Sequence, residues 1–505
     1  MTSIPKWLAQ IAGICVALSI QPCPAASNDA GAGSWQMIVL SGPAQVPVPP
    51  PVATTDAAYQ SELAAIKLAQ ANITSQQRQT LDYWNKGAVV CWNRILLDLV
   101  ARMDLPPEPN DDGTYSLPSA GAPFAFPQFP FANPPYAARS YSYVSVATYD
   151  ALKAAWYYKY LYNRPTPFNA DNGVHAYTAA GDLPGYPSED AVVSAVSAAL
   201  LKTLFPTAVD EINQKAADQR QAALLSGKAS PSDIAAGVAL GEAVASIFVA
   251  RAGSDGMKSA TGNQGQWDAL AEAAKARGET PWKSLEVPPR PPMLPFFGQV
   301  KAWMMSPGDI VAERPGPPPS VSSPQMQTEL AEVKSALKHL TRAQAAICYK
   351  WSDGASSPTP PGHWNFIAQP YLDRAGLSEV RTARALALLN MSLHDAAVAC
   401  WETKYAYFNP RLTQLDSSLR TAIALPNFPS YESGHSVFSG AAAAVLSYLF
   451  PSDTSYFNAQ RDEAAISRLY AGLHFRSDIE VGKDHGAKVG AYTVRFAQSD
   501  GADQQ

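Results

Sequence analysis

A Ser-Gly-His sequence at a predicted helix start is the part of this chain best suited to bind an anion. Ser433, Gly434 and His435 follow a proline-rich loop and precede an Ala- and Leu-rich run that predicts a helix. The first backbone N–H groups of a helix lack intrahelical partners, and the helix dipole makes that end positive. The turn therefore predicts a site for a tetrahedral oxyanion, with an imidazole beside it as a proton donor. An ordinary helix N-cap with an incidental histidine is the alternative interpretation.

Two further groups of polar residues, one on each side of this turn, supply the other side chains that an anion needs. Lys404 and Arg411 lie seven residues apart before the turn, and Arg468 lies six residues before His474 after it. Guanidinium groups bind oxyanions through paired donors, an ammonium is a compact charge, and an imidazole acts as a nucleophile or ligand. Asp478 follows His474 by four residues, where it is expected either to hold the imidazole ring or to cap a helix from the surface.

The three blocks occur in the order Lys-x6-Arg, Ser-Gly-His and Ser-Arg-x3-Gly-x-His. This ordered set resembles the vanadium haloperoxidase and type 2 phosphatidic acid phosphatase superfamily. The segments GQVKAWMMSPGDI, beginning at Gly298, and TPPGHWN, beginning at Thr359, are similar to the bacterial haloperoxidase-like branch. Membership in this branch implies a pocket that accepts vanadate or phosphate, which share charge and shape.

The resemblance also implies a role for each residue of the three blocks. His435 would be the acid–base group. His474 would be the axial ligand to the vanadium of vanadate in a peroxidase, or the nucleophile that forms a phosphohistidine in a phosphatase. Lys404 would also polarise the reacting oxygen. The residues that would bind the equatorial oxygens of the anion are Lys404, Arg411, Ser433, Gly434 and Arg468.

Two activities follow from this resemblance, and the residues leave the choice open. A haloperoxidase would use vanadate to oxidise a halide with hydrogen peroxide to hypohalous acid. A soluble acid phosphatase would hydrolyse phosphate monoesters with the same residues and no cofactor. A third, non-catalytic interpretation is an oxyanion-binding scaffold. Retention of both His435 and His474 argues against the scaffold, because a mere binder needs no proton donor aimed at the anion.

Three more residues are implied to shape the pocket. Phe428 lies five residues before Ser433, and Trp401 lies three before Lys404. Both match aromatic residues near the halide side of chloroperoxidases, although either side chain could equally belong to the packed core. Asp353 is expected to pair with Arg468 near the anion.

The sequence departs from the family pattern at two positions. Leu412 follows Arg411 where the family usually has proline, and Glu432 precedes the Ser-Gly-His turn where the family also has proline. A carboxylate beside an anion pocket predicts weaker anion binding through Coulomb repulsion, unless the side chain points to solvent.

The elements that must position these residues are predicted to be helices. The chain has 505 residues and 47% hydrophobic residues, with recurrent Ala-rich amphipathic stretches and few alternating β-branched runs. We therefore expect an all-α fold. The net charge of −5 and the absence of a basic block argue against a nucleic-acid partner.

Internal similarity predicts two tandem helical bundles related by duplication. Residues 59–67 match residues 326–334, and at a later offset of 245 residues Asp150 aligns with Asp395 and Lys159 with Lys404. The anion residues do not repeat: Glu189 and Asp190 stand opposite Gly434 and His435, and Ala229 stands opposite His474. The sequence therefore predicts an active site in the second copy only.

The predicted organisation has four parts. Residues 1–26 read as a signal peptide, 27–286 as the degenerate first repeat, 287–324 as a Pro-rich connector and 325–505 as the catalytic repeat. We therefore expect an exported protein, periplasmic or secreted, without a membrane span. Cys91, Cys348 and Cys400 are expected to be buried thiols. The halide, the organic acceptor and the oligomeric state cannot be derived from the residues.

Overall fold

The computed structural model describes residues 29–105, 110–114, 133–177 and 181–503. Within this described part the regular elements are helices, and no residue lies in a strand, which confirms the predicted all-α class. The predicted signal peptide and most of a Pro-rich stretch of the first repeat, residues 106–135, lie outside the described residues. The α-helices of the first half are α1 (Ala57–Ala71), α2 (Ser75–Trp84), α3 (Ala88–Met103), α4 (Pro134–Tyr162), α5 (Pro167–Ala170), α6 (Glu189–Leu204), α7 (Val209–Leu225), α8 (Pro231–Gly253) and α9 (Gln264–Ala276).

The second half repeats this order after a largely extended connector. Its α-helices are α10 (Pro307–Glu313), α11 (Pro324–Lys338), α12 (Arg342–Lys350), α13 (Thr359–Arg374), α14 (Glu379–Tyr407), α15 (Leu412–Leu415), α16 (Gly434–Leu449), α17 (Thr454–Tyr470) and α18 (Arg476–Ser499). The Pro-rich connector contains the short helix α10 between its two proline-rich runs. The TPPGHWN segment, whose prolines and glycine favour a loop, instead forms the start of α13, because prolines are tolerated at a helix start.

Equivalent contacts recur in the two halves at the predicted offset of 245 residues. Asp150 of α4 accepts backbone N–H bonds from Ile38 and Val39 at 2.9 and 2.8 Å. Asp395 of α14 accepts the same kind of bonds from Trp303 and Met304 at 2.7 and 2.8 Å. In each half a buried carboxylate thus fixes an N-terminal segment against the longest helix, as a duplicated unit predicts.

A second matched pair ties the ends of each half together. Arg139 Nε donates to Asp255 Oδ2 at 2.7 Å, and Arg384 Nε donates to Asp500 Oδ2 at 2.6 Å. All four side chains are buried. Buried charges of this kind persist when they are paired and hydrogen-bonded, so the pairs fix the end of α8 against α4 and the end of α18 against α14.

Small residues allow α16 and α18 to pack closely. Gly482, Gly486 and Gly490 lie at four-residue spacing along α18. A Cβ atom built on Gly486 would lie 2.1 Å from the carbonyl oxygen of Val437 on α16. Four-residue spacing of glycines on a helix predicts a close helix–helix contact, and this glycine ridge has that packing role.

The two halves share one hydrophobic core. α4 and α14 lie against each other, and buried residues of both belong to a single apolar cluster. The three cysteines in the described part of the chain are free and buried, as predicted. One helical segment, Pro231–Ser259, is long and apolar enough to cross a membrane by composition. Because its buried face packs on α6, it also fits the pattern of a core helix, and the expected absence of a membrane span stays a prediction.

Candidate active site

Helix ends from three parts of the second half meet around the Ser-Gly-His turn. α14 ends at Tyr407, and Phe408 adopts a left-handed conformation (φ 53°) that turns the chain toward Arg411. α16 begins at Gly434 with Ser433 as its N-cap residue. α17 ends at Tyr470, and Gly472 (φ 74°) turns the chain toward His474. The predicted motif residues therefore lie at helix ends and in the turns that follow them.

Lys404 holds the loop that leads into the Ser-Gly-His turn. Its Nζ donates to the carbonyl oxygens of Pro429 and Ser430, each at 2.9 Å, and to that of Glu432. These contacts occupy all three N–H groups of the ammonium. Burial lowers the pKa of Lys404 to about 8. In this structure the lysine therefore positions the loop and has no donor directed at a free position.

Arg411 connects the same loop to His474. Its Nε donates to the Phe428 carbonyl at 2.9 Å, and its Nη1 donates to the Leu473 carbonyl at 2.9 Å and to His474 Nε2 at 3.1 Å. Burial lowers the pKa of the guanidinium to about 10, which leaves it charged at neutral pH. Its Nη2 is buried and has no hydrogen-bond partner among the described residues. Arg411 thus keeps one buried donor available for a ligand.

Asp478 fixes the orientation of the His474 ring. Its Oδ2 lies 3.0 Å from His474 Nδ1 and accepts hydrogen bonds from Ser430 Oγ at 2.6 Å and from the Phe475 N–H at 3.2 Å. Asp478 is fully buried. It therefore holds the His474 ring, as one of the two expectations stated, and its bond from the Phe475 N–H at the start of α18 is not a surface cap. Burial and the nearby positive charges of Arg411 and Lys404 hold the pKa of His474 well below its usual range. The ring is therefore neutral, with its proton on Nδ1 and a lone pair on Nε2.

Arg468 approaches the cluster from the end of α17. Its Nη2 donates to the Trp351 carbonyl, and its Nε donates to Ser467 Oγ at 2.9 Å. Burial lowers its pKa to about 10, and its charge contributes to the low pKa of His474. The predicted ion pair with Asp353 is wrong: no such pair is present among the described residues, because Asp353 contacts two histidines instead.

His435, Asp353 and His363 form a row. Asp353 Oδ1 lies 2.9 Å from His363 Nδ1, and its Oδ2 lies 3.2 Å from His435 Nε2. Burial, and then the charge of Arg468, lower the pKa of His435 to about 4, so the ring is neutral at pH 7. Sequence reasoning noted His363 in a family-like segment without finding a role for it. The only sequence signal was its place ten residues after Asp353.

Two aromatic side chains form one wall beside the cations. The ring centroids of Phe428 and Trp401 lie 5.1 Å apart. Lys404 Nζ and Arg411 Cζ lie 5.1 and 5.0 Å from the Phe428 centroid, within the range of cation–π attraction. Both aromatic residues are buried, and Trp401 Nε1 donates to the Met293 carbonyl at 3.1 Å. Phe428 therefore packs against the anion-site cations as well as against the core.

The Glu432 carboxylate neither points to solvent nor stands as an unpaired charge beside the anion pocket. Its carboxylate is buried, and Oε1 lies 2.6 Å from Nδ1 of His485 on α18. Burial acts to lower the pKa of His485, but the Glu432 carboxylate overcomes this effect and raises it. The negative charge is thus balanced by a histidine inside the protein. Leu412, the other departure, begins α15 and packs in an apolar cluster with Leu469 and Phe475.

The equivalent position in the first half is filled by its own side chains. Lys159 Nζ lies 2.6 Å from Glu189 Oε2, and Lys228 Nζ lies 2.7 Å from Asp190 Oδ2. Both carboxylates are buried. No cluster of three or more metal-ligating side chains occurs in the described ranges. These ion pairs occupy the position in the first half that corresponds by the 245-residue offset to the predicted anion pocket of the second half.

The second half offers donors that fit a tetrahedral oxyanion. Besides the unpartnered Arg411 Nη2, the N–H groups of Gly434 and His435 precede the first intrahelical hydrogen bond of α16, which joins Val437 N to Ser433 O at 3.1 Å. Ser433 Oγ accepts from the Ser436 N–H at 3.4 Å, which leaves its hydroxyl hydrogen to donate. With the His474 Nε2 lone pair, which here accepts from Arg411 Nη1, this donor set suits vanadate or phosphate.

Comparison with known proteins agrees with this reading of the fold. Residues 454–501 match the family model for the VCPO second helical-bundle domain. A bacterial vanadium-dependent iodoperoxidase superposes with a TM-score of 0.54 at 24% identity, covering 72% of this chain and 91% of that one. The apo-type bacterial vanadium-dependent chloroperoxidase gives 0.54 at 14% identity, covering 79% and 100%. Its holo-type structure gives 0.51 at 15% identity, covering 72% and 91%.

No curated protein matches the chain in a sequence search. The structural neighbours and the matched C-terminal segment together support the vanadium haloperoxidase and PAP2-like superfamily. This confirms the resemblance that the three motifs indicated. At these identities the neighbours establish the haloperoxidase-like fold and leave the specific activity to be inferred from the site.

Proposed function

We propose that this protein is a vanadate-dependent haloperoxidase that oxidises a halide with hydrogen peroxide. The observation that carries the proposal is the His474 ring, held by Asp478 with its Nε2 lone pair facing Arg411. A site that only binds phosphate would not need a neutral imidazole beside its cations. Such an imidazole can ligate the vanadium of vanadate or act as the nucleophile in phosphate hydrolysis. The haloperoxidase fold of the structural neighbours supports the first of these two chemistries.

Each residue of the site has a task in this proposal. Bound at His474, vanadate would supply the activation of hydrogen peroxide toward the halide. Arg411 Nη2, Arg468 and the N-terminus of α16 would bind its oxygens and neutralise their charge. His435, neutral at pH 7, would accept a proton from peroxide and return it to the departing oxygen. Lys404 would position the Pro429–Glu432 loop through its three carbonyl contacts.

A split assay tests this proposal. One portion of the purified protein is loaded with orthovanadate and assayed for halogenation of an organic acceptor with hydrogen peroxide. Chloride, bromide and iodide are each supplied, because the neighbours include both an iodoperoxidase and a chloroperoxidase. The other portion is assayed on p-nitrophenyl phosphate without vanadate. We expect vanadate-dependent halogenation that disappears in His474→Ala and persists in His339→Ala, a control at an exposed histidine.

The other outcomes identify the alternatives. Phosphate hydrolysis without halogenation, inhibited by vanadate, would make the protein a phosphatase that uses His474 as nucleophile. Binding of either anion without turnover would indicate the non-catalytic scaffold. Export to the periplasm or medium rests on residues 1–26, and we retain it as part of the proposal. Immunodetection of the processed chain in those fractions checks it.

A further inference from the structure

The row of His363, Asp353 and His435 contains a residue whose function the three motifs do not explain. Asp353 uses one carboxylate oxygen for each histidine, with distances of 2.9 Å to His363 Nδ1 and 3.2 Å to His435 Nε2. Asp353 Oδ2 and His435 Nε2 are buried and have no hydrogen-bond partner among the described residues. Each of these two atoms is therefore available to the other, and an unpaired buried carboxylate oxygen is costly.

His363 is fixed in place from two sides. It lies in the second turn of α13, and its ring stacks on Trp351 with centroids 4.1 Å apart and an interplanar angle of 18°. Trp351 is in turn held by its Nε1 bond to Glu463 at 2.9 Å, and its carbonyl accepts from Arg468. The stack thus connects His363 to an anion-site cation through one tryptophan. Its side chain is 16% exposed, as is that of His435, whereas the Asp353 carboxylate between them is 6% exposed.

We propose that His363 is a positioning residue for the acid–base group: it fixes the Asp353 carboxylate so that the second oxygen accepts the Nε2 proton of His435. The His435 ring is then held as the Nε2–H tautomer, and its Nδ1 is left to exchange a proton with the reacting species. The inference rests on the proposed function for its kinetic consequence, but the tautomer of His435 is independent of turnover. His363 on α13 is thus a second histidine beside the Asp353 carboxylate, whose other histidine neighbour, His435, lies on α16.

Other charged groups surround this row. His435 faces Arg468 of α17 and the His474 ring, besides Asp353 and His363. Asp353 also interacts with the buried Asp104 at the end of α3, and His363 interacts with Glu463 of α17. Among the described residues, none of these groups donates a hydrogen bond to Asp353 Oδ2, the oxygen that faces His435. His363 is therefore the neighbour that anchors the carboxylate.

Two matched variants separate positioning from packing. His363→Asn keeps an N–H donor near the position of Nδ1 but removes the stacked ring. His363→Phe keeps a ring on Trp351 but removes the donor. We expect His363→Phe to lower kcat by roughly 10- to 100-fold, the scale seen for residues that orient a catalytic group, with the KM for peroxide changed by less than about twofold. His363→Asn should retain most of the kcat.

A spectroscopic readout keeps the test independent of activity. Nitrogen-15 histidine NMR of the protein reports the tautomer of His435, whose signals are assigned by their loss in His435→Gln. We expect the Nε2–H tautomer in the parent protein and in His363→Asn, and a mixture of tautomers in His363→Phe. If the parent protein shows no turnover while the tautomer changes as stated, the proposed function fails and the positioning role stands. An unchanged tautomer in His363→Phe, or equal damage from both variants, overturns the role.

Discussion

At the scale of single residues, the site is a neutral imidazole among buried cations. Burial is the largest cause of the low pKa of His474, and the positive charges of Arg411, Lys404 and Arg468 lower this pKa further. Excess positive charge in a buried pocket is costly without a partner. An oxyanion supplies that partner, and Asp478 keeps the ring nitrogen of His474 directed at it. The pocket is therefore expected to bind a tetrahedral anion more tightly than a neutral molecule of the same size.

The role of Asp478 can be tested with one substitution. Asp478→Asn removes the carboxylate that accepts from His474 Nδ1 and Ser430 Oγ. The ring then loses its fixed tautomer, and we expect orthovanadate affinity to fall roughly 10- to 100-fold. Equilibrium titration followed by vanadium-51 NMR measures the change. Asp484→Asn, at an exposed position of the same helix, is the control and should bind as the parent does; equal affinities in both variants would contradict the role.

The family resemblance of the three motifs predicted which residues meet, but not all of their partners. Pro, Gly and capping signals placed Lys404, Arg411 and His474 near helix ends, and the resemblance implied that these residues and Arg468 share one site. The pairing of Glu432 with His485 could not be predicted. The two residues lie 53 positions apart, and the contact depends on how α16 packs on α18. The contacts of Lys404 with the Pro429–Glu432 loop were also missed. They join a side chain to backbone carbonyls, and these depend on the conformation of the loop and not on residue type.

At the scale of elements, close packing of α16 and α18 places the two ends of the site. The Ser433 N–H donates to the Asp478 carbonyl at 3.0 Å, so the start of α16 is joined directly to the start of α18. The four-residue glycine spacing was visible in the sequence and predicted this approach. The depth of the contact was not visible, because it depends on which residues of α16 face the ridge.

Filling the ridge should damage both packing and binding. In Gly486→Ala the new Cβ would meet the Val437 carbonyl oxygen at 2.1 Å, so the helices must separate. We expect a loss of about 1–3 kcal/mol in the free energy of unfolding, typical of an overpacked interface, together with weaker orthovanadate binding. Urea denaturation and anion titration provide the two measurements. Gly253→Ala, at a helical glycine with no atom within 4 Å of the added Cβ, should change neither; no loss in Gly486→Ala would refute the packing argument.

At the scale of the whole molecule, the first half acts as a structural partner of the second. Hydrogen bonds cross between the halves, as in the buried bond from Asn390 Nδ2 to Ser145 Oγ at 2.9 Å and the partly buried bond from Ala88 N to Glu379 Oε1 at 3.0 Å. The repeat was predictable from matched residues, and its contacts at Asp150 and Asp395 agree with it. The single core that joins the halves was not predictable, because both copies carry similar apolar helices and nothing in sequence marks which faces meet.

Buried histidines make the stability of this molecule sensitive to acid. His394 of α14 is fully buried, and burial followed by the charge of Arg251 lowers its pKa to about 3. In the unfolded chain its pKa returns to about 6.5. The unfolded state therefore binds the extra proton between these values, and stability falls as pH drops below about 6.5. For His394 alone the loss from pH 7 to pH 5 is about 2 kcal/mol.

Replacing this histidine should flatten the acid side of the stability profile. In His394→Leu we expect the difference in unfolding free energy between pH 7 and pH 5 to shrink by about 2 kcal/mol, whatever the change in absolute stability. Chemical denaturation at both pH values measures it. His339→Leu, at an exposed position, should leave the difference unchanged. A parental pH slope in His394→Leu would show that the proton is taken up elsewhere.

The central claim is that the second half holds vanadate through His474, and a direct titration of orthovanadate tests it. Isothermal calorimetry on the parent protein and on His474→Ala, with circular dichroism to show that both are folded, compares the two affinities. The account predicts one site per chain in the parent protein and at least roughly tenfold weaker binding in the variant, since the nitrogen ligand is lost. Equal affinity in the folded variant, or no binding to the parent protein, would contradict the account.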